Sequence, residues 1–155
     1  MLIIKASIKN NQPEQTHLVL RSIEKKVLVV EPDQHTAMRL HAVLQKEIFS
    51  VHLAERGSEA IRYVQQEHIS ALILDTGIKD MGWSEVVPIV KGFHPELPII
   101  MTSVTNTPEL EKAILHHKVF YYHIKSFGND ELVLAVRNAV ERQAQKKSPG
   151  KEEKP

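Results

Sequence analysis

Cysteine is absent from this sequence of 155 residues. Its absence excludes a disulfide framework, a thiolate metal site and a cysteine nucleophile, and it agrees with a reducing compartment. A strong charge of one sign is also missing: the net charge is only +1, so neither nucleic acid nor a membrane is expected as the main partner. No apolar run is long enough to cross a bilayer, and the first residues lack the features of a signal peptide, so we predict a cytoplasmic protein.

Length and composition predict one domain with tails. A hydrophobic fraction of 42% with 25% charged residues is typical of a soluble globular protein. Residues 1–25 hold two short apolar clusters around a polar stretch, which predicts either a mobile N-terminal arm or an extra hairpin packed on the domain. The domain itself is predicted over residues 26–143. Residues 144–155 are predicted to be a disordered tail, because no apolar side chain follows Gln145.

Apolar runs and helical patterns alternate along the domain. The near-continuous apolar runs suit strands that are buried on both faces, and apolar residues at helical spacing fill the segments between them. We predict strands at 27–31, 51–54, 71–75, 99–102 and 119–124. The predicted helices follow Asp33, open at Gly57, span 83–93, start at Thr107 and run from Asp130 to Gln145. This alternation predicts an α/β fold with a doubly wound five-stranded parallel sheet, flavodoxin-like, in the strand order 2-1-3-4-5.

Polar side chains stand where four of the predicted strands end. Glu31 marks the end of the first strand, Asp75 of the third, Thr102 of the fourth and Lys125 of the fifth. The carboxyl ends of parallel strands meet at one edge of the sheet, where ligands and chemistry gather in such folds. We therefore expect these four side chains to form one site.

This residue set resembles that of bacterial response-regulator receiver domains, and the likeness covers residues 25–143. The resemblance implies that Asp75 is the nucleophile that accepts a phosphoryl group. It also implies that Lys125 and the Thr102 hydroxyl contact the oxygens of that group, because phosphoryl transfer depends on positioning and on neutralised charge.

The resemblance further implies a metal site and a switch. Magnesium would be held by Glu31, by Asp75 and by the backbone carbonyl of Gly77, since this ion prefers oxygen ligands. Thr102 and the aromatic Tyr122 would move together once charge is added at Asp75. The face made by the fourth helix, the fifth strand and the fifth helix, which carries Tyr122, is the expected partner or homodimer surface.

Partners and a signalling role, not an enzymatic activity, follow from the same resemblance. A histidine kinase or a phosphotransfer protein would supply the phosphoryl group, and a downstream protein target would bind the changed surface. No output domain follows the fifth helix in this sequence, so a stand-alone receiver is expected.

Three departures from the family pattern modify these expectations. Pro32 stands where the family carries a second acid, so one magnesium ligand is missing unless Asp33 takes its place; we interpret Asp33 first as a helix cap. Lys79 replaces a proline in the loop after the third strand. Ser126 replaces a proline joined by a cis bond, which costs about 3 kcal/mol for other residues, so Lys125 is expected to be displaced. Weak magnesium binding is the combined expectation.

Three functions remain open at this point. The first is a phosphorylated receiver, and the second is a pseudo-receiver that acts as an interaction module without phosphorylation. The third is a small phosphohydrolase of the haloacid dehalogenase type. That enzyme needs a second aspartate two residues after the nucleophile, where this chain has Gly77.

Overall fold

The structure, a computed structural model, describes residues 25–147 and shows a single sheet in this part of the chain. Its strands are β1 (Lys25–Val30), β2 (Phe49–Ala54), β3 (Ala71–Asp75), β4 (Ile99–Ser103) and β5 (Tyr121–Ile124). All neighbours are parallel, and the order is β2-β1-β3-β4-β5. The predicted fold class and strand order are confirmed.

Helices connect the strands as the sequence pattern predicts. They are α1 (Gln34–Gln45), α2 (Gly57–Gln66), α3 (Trp83–Phe93), α4 (Pro108–His116) and α5 (Asp130–Lys147), with a short 3₁₀ helix (Lys125–Phe127) after β5. The side chains of Asp33 and Thr107 cap α1 and α4 by accepting a hydrogen bond from an amide of the first turn. No helix in the described range 25–147 is long and apolar enough to span a membrane.

The helices cover both faces of the sheet and create two apolar layers. One layer packs α2, α3 and α4 on one face of the sheet, through residues such as Val64, Val90 and Ile114. The other packs α1 and α5 on the opposite face, through Leu44 and Val136. β3 and β4 are buried along their whole length, which explains their uninterrupted apolar runs.

The strand boundaries differ from the predicted ones by one or two residues. β1 begins at Lys25 instead of 27, because Lys25 and Phe49 are paired between β1 and β2. β5 begins at Tyr121 instead of 119, because its pairing with β4 starts at that residue. The carboxyl ends differ by at most one residue, since β1 ends at Val30 instead of 31 and β4 at Ser103 instead of 102.

The last helix corrects the predicted start of the tail. α5 continues to Lys147, so residues 144–147 are helical where disorder was expected. Gln143 is buried and Lys146 pairs with Glu96, and both contacts hold the last turns of the helix against the domain. The predicted N-terminal arm or hairpin, up to residue 24, and the rest of the predicted tail lie outside the described residues.

Candidate functional site

The four polar side chains predicted at the strand ends lie together at the carboxyl edge of the sheet. Asp75 is the last residue of β3, and it stands beside Thr102 of β4 in the strand register. Glu31 follows β1 directly, and Lys125 is the first residue after β5. Glu31, Asp75 and Thr102 are buried, whereas the Lys125 side chain keeps 19% of its surface exposed. The fold therefore turns four distant sequence positions into one polar cluster.

Asp75 is contacted on both of its carboxylate oxygens. Lys125 Nζ lies 2.8 Å from Oδ1, and the Thr102 hydroxyl donates to the same oxygen at 2.8 Å. The backbone amide of Gly77 donates to Oδ2, also at 2.8 Å. Lys125 Nζ lies 2.6 Å from Glu31 Oε2 as well, so one ammonium joins the two acids. These contacts fix the orientation of the carboxylate.

Burial and ion pairing shift the pKa values in this cluster. Burial by itself lowers the pKa of Lys125, but the contacts with Asp75 and Glu31 outweigh it and hold the pKa above its ordinary value. Burial raises the pKa of Glu31, and the charge of Asp75 acts in the same direction. Two carboxylates share one ammonium here, so a further cation would be stabilised by the negative charge that is left.

The donor atoms of this cluster match magnesium chemistry with few protein ligands. Glu31 and Asp75 supply carboxylate oxygens, and the backbone carbonyl of Gly77 lies in the adjoining loop, whereas Pro32 has no donor side chain. Over residues 25–147, no group of three or more His, Cys, Asp or Glu side chains could hold a metal ion. Magnesium binds through one or two carboxylates and keeps several waters, so this donor set fits it.

Asp33 acts as a helix cap, as its sequence position indicates. Its Oδ2 accepts from the backbone amide of Thr36 at 2.9 Å and from the Thr36 hydroxyl at 2.6 Å. The backbone amide of Asp33 donates to Glu31 Oε1 at 3.0 Å. The segment after β1 therefore uses Asp33 to orient Glu31, a contact that sequence reasoning missed.

The expected displacement of Lys125 is wrong. Its ammonium contacts Asp75 directly although Ser126 follows it and no peptide bond within residues 25–147 is cis. The chain enters the 3₁₀ helix at Lys125 and leaves it at Gly128, which has a positive φ of 83° that glycine adopts without strain. This turn positions the lysine without a proline.

Tyr122 connects the neighbourhood of the cluster to the protein surface. Its ring is half-buried against the layer of α2, α3 and α4, and its hydroxyl donates to Asn106 Oδ1 at 3.1 Å. Asn106 lies in the loop that follows β4, the strand that carries Thr102. Tyr122 is thus hydrogen-bonded to the loop that begins two residues after Thr102.

Sequence reasoning also missed Asp80, which anchors the loop after β3. Its carboxylate accepts from the amides of Gly57 at 2.8 Å and Ser58 at 3.0 Å, at the start of α2. Arg56, the residue before the helix, supplies no side-chain cap. Burial acts to raise the pKa of Asp80, but the hydrogen bonds from Ser58 and Gly57 outweigh it and lower the pKa to about 2. The only sign in the sequence was a helix start without a capping residue directly before it. The residue that caps it lies 23 positions further along the chain.

Replacing this anchor should make stability less dependent on pH. A lowered folded pKa stabilises the protein above the unfolded pKa of about 3.9 and loses that effect as pH falls towards 2. Asp80→Asn should therefore lower the free energy of unfolding by about 1 kcal/mol at neutral pH, because asparagine has one acceptor oxygen for the two amides and no charge, and solvent screens this exposed group. Urea unfolding of both proteins checks this, and the difference should disappear at the acidic end. An equal difference at every pH would contradict the assignment.

Comparisons with known proteins show the family of this chain. Residues 27–137 match the response regulator receiver domain family. The regulatory protein AtoC of Escherichia coli is 26% identical over 124 residues, which cover 79% of this chain and 26% of AtoC. The transcriptional regulatory protein CreB of the same organism is 28% identical over 117 residues, which cover 75% of this chain and 51% of CreB. The chain thus spans only a quarter to a half of these relatives.

Solved structures share the fold. The CheY-like response regulator receiver domain protein from Methanospirillum hungatei superposes with a TM-score of 0.74 at 19% identity, over 79% of this chain and 98% of that chain. The signal receiver domain of an HD domain-containing protein from Pseudomonas fluorescens gives 0.72 at 20% identity, over the same shares of the two chains. With its parallel sheet, its edge cluster and the family match over most of its length, the chain belongs to the response regulator receiver domain family of two-component signalling.

Proposed function

We propose that Asp75 accepts a phosphoryl group from a histidine kinase or a phosphotransfer protein, and that the chain signals by protein contact. The observation that carries this proposal is the contact of both Lys125 and Thr102 with one oxygen of Asp75. An ammonium and a hydroxyl at this place are positioned to contact phosphoryl oxygens once the group is attached. The Gly77 amide, on the other oxygen, keeps the carboxylate from rotating.

The transfer exchanges one bond to phosphorus for another. A carboxylate oxygen of Asp75 forms the new bond while the phosphorus–nitrogen bond of the donor phosphohistidine breaks. The bonding electron pair stays on the imidazole, which takes up a proton from solvent. Glu31, Asp75 and the carbonyl of Gly77 would hold magnesium, which would supply positive charge to the phosphoryl oxygens. Lys125 supplies the charge of the protein itself.

A mass measurement tests this function directly. The full chain is incubated with magnesium and acetyl phosphate, a small phosphodonor, and the intact mass is recorded. We expect the mass to increase by one phosphoryl group, and we expect the modification to be labile in base, as an acyl phosphate is. Fragmentation of a hydroxylamine-treated or borohydride-reduced sample should place the group on Asp75.

A pseudo-receiver is the second candidate, and one observation favours it. The Lys125 ammonium forms ion pairs with Glu31 as well as Asp75, and Pro32 provides no further carboxylate. The ammonium thus already neutralises part of the charge that a metal ion would meet. On this proposal the site would act as a fixed structural element, and no phosphoryl group would be found in the mass measurement.

We propose a signalling role and not the catalysis of hydrolysis. The family is a signalling family, and a phosphohydrolase of the haloacid dehalogenase type would need a second acid at Gly77. We therefore propose a cytoplasmic signalling module over residues 26–143, with a downstream protein as target and without nucleic acid or membrane as partner. The names of the relatives describe transcriptional regulators, but the chain covers only part of those proteins.

Tyr122 should contribute to the signalling surface. Phosphorylation is expected to favour self-association or target binding through the face of α4, β5 and α5. Removing a partly exposed aromatic side chain from such a face commonly weakens binding about tenfold, or 1.4 kcal/mol. Sedimentation of the phosphorylated chain should therefore show weaker association for Tyr122→Ala.

Two further variants separate the causes of that loss. Tyr122→Phe keeps the ring but loses the hydrogen bond to Asn106, so it measures the contribution of that hydrogen bond alone. Tyr63→Ala removes a half-buried tyrosine from α2, outside the face of α4, β5 and α5, and should leave association unchanged. An unaltered association constant for Tyr122→Ala would place the surface elsewhere.

A further inference from the structure

A second polar cavity lies at the edge of the sheet opposite to Asp75. It has a volume of about 250 Å³ and lies between the start of β4, the segment that precedes β5 and the end of α5. Ile99 at its wall and Thr102 at the phosphorylation site are three residues apart on β4, which is about 10 Å. The two sites are therefore separate. Its lining includes one carboxylate and four cations: Glu96, Lys91, Lys118, Arg142 and Lys146.

Two of the cations are held in place by uncharged groups. Lys91 Nζ donates to the carbonyl of Lys118 at 3.0 Å and to that of His117. The Arg142 guanidinium lies over the ring of Phe120, 5.7 Å from its centroid. Neither contact neutralises the positive charge, so both charges remain available to a ligand.

The charges in the cavity are unbalanced. Glu96, the one carboxylate in the cavity lining, pairs with Lys146, and its charge also acts on Arg142, so four cations face a single acid. Burial lowers the pKa of Lys91, and the nearby charge of Lys118 lowers it further. Like charges held this close are destabilising, and an anion between them would relieve the repulsion.

A buried amide provides the second, independent observation. Gln143 is only 8% exposed, it lines the cavity, and its Oε1 has no hydrogen-bond partner among residues 25–147. Buried polar side chains are nearly always hydrogen-bonded, so such an atom requires an explanation. Oε1 is shielded from solvent as the side chain stands, so a ligand with a hydroxyl or a protonated oxygen would pair with it after a rotation of the Gln143 side chain towards the cavity. If the amide is turned about its axis, the NH₂ group could instead donate to an oxyanion.

We propose that this cavity binds a compact oxyanion with two or more negative charges, such as a phosphate-bearing small molecule. Four cations and a single carboxylate line one half-open cavity beside the unpartnered amide, and the arrangement matches the charge and hydrogen-bonding capacity of such a group. The volume lies just below the usual range of small-molecule sites, so a small anion fits better than a nucleotide-sized molecule. Nucleic acid is disfavoured, because its binding uses cations spread along a surface and this chain has a net charge of only +1.

Titration with pyrophosphate tests this proposal. The full chain, labelled with ¹⁵N, is titrated without magnesium and in the presence of a chelator, so that the acids around Asp75 bind no metal. We expect saturable shifts of the amides of Leu97, Ile99 and Val119, with a Kd below about 1 mM, and little change at Asp75. Inorganic phosphate should shift the same amides with lower affinity. Shifts that do not saturate, or that centre on Asp75, would overturn the proposal.

Charge variants identify the residues that bind. Lys118→Asn combined with Arg142→Gln should weaken pyrophosphate binding at least about tenfold. Asparagine suits position 118, where φ is +54°. Lys112→Gln, an exposed cation on α4 outside the cavity, should bind as tightly as the wild type. An equal loss in both variants would show a general charge effect and would reject the site.

Gln143→Met measures the contribution of the amide to binding separately from that of the charged side chains. Methionine has a similar volume, so thermal unfolding should occur at the same or a higher temperature, while binding weakens several-fold. Unchanged binding would remove Gln143 from the site. A duplex oligonucleotide or an acidic peptide that binds more tightly than pyrophosphate through the same cations would replace the small-anion proposal.

Discussion

Asp75→Asn should abolish phosphoryl transfer to the chain. The amide cannot act as the nucleophile, although it keeps the size of the carboxylate and can still accept from Thr102 or Gly77. The nucleophile itself is removed, so the expected effect is complete loss, not a graded decrease of the kind seen when one electrostatic contact is lost, about 3 kcal/mol. The intact mass after incubation with acetyl phosphate and magnesium should then remain that of the unmodified chain.

A matched variant keeps this experiment specific. Asp130→Asn makes the same change in an exposed residue at the start of α5, and it should be labelled like the wild type. Label that persists in Asp75→Asn would show that another residue is modified. If the wild-type chain is never labelled, by acetyl phosphate or by a phosphorylated histidine-containing donor, the pseudo-receiver is the better description.

The arrangement of strand ends was predictable from the sequence for a simple physical reason. A strand buried on both faces reads as an apolar run, and the carboxyl ends of parallel strands meet at one edge. The apolar pattern alone therefore groups Asp75, Thr102, Glu31 and Lys125, and the contacts among these side chains span 2.6 to 2.8 Å. Local patterns were sufficient, since each of these residues lies at the last residue of its own strand or one position from it.

Contacts between distant segments were not predictable in this way. Asp80 caps a helix that begins 23 residues earlier, and no local pattern links the two positions. The direction of Lys125 depends on the 3₁₀ turn that ends at Gly128, whereas sequence reasoning considered only the missing proline at Ser126. The cationic cavity likewise combines three separate segments, among them α5, whose last turn, residues 144–147, was predicted as part of a disordered tail.

Glu31 bears on both candidate functions of the site. Its carboxylate contacts Lys125 through Oε2 and the amide of Asp33 through Oε1, so both oxygens are engaged within the protein. A magnesium ion bound by Glu31 would therefore compete with the Lys125 ammonium for this carboxylate. With Pro32 in place of a second acid, the protein offers few ligands to offset that competition. The metal-binding step, more than the direction of Lys125, should limit phosphorylation.

Pro32→Asp should therefore raise magnesium affinity about tenfold or more, equivalent to 1.4 kcal/mol, and speed labelling at low magnesium. The added carboxylate supplies another hard oxygen ligand beside Glu31. Ser126→Pro, in contrast, should change the rate less than about twofold, because Lys125 Nζ already lies 2.8 Å from Asp75. The labelling rate by acetyl phosphate is measured over a range of magnesium concentrations for each variant.

Pro32→Asn is the control that isolates the charge, because it removes the proline ring and adds a side chain of the same size without a negative charge. Its half-saturating magnesium concentration should stay near that of the wild type, while that of Pro32→Asp falls. If the two variants respond to magnesium alike, backbone freedom at this position explains the gain and the missing carboxylate does not. If the wild type already reaches its full labelling rate at low magnesium, Glu31 and Asp75 alone hold the ion well, and Lys125 does not compete with it for Glu31.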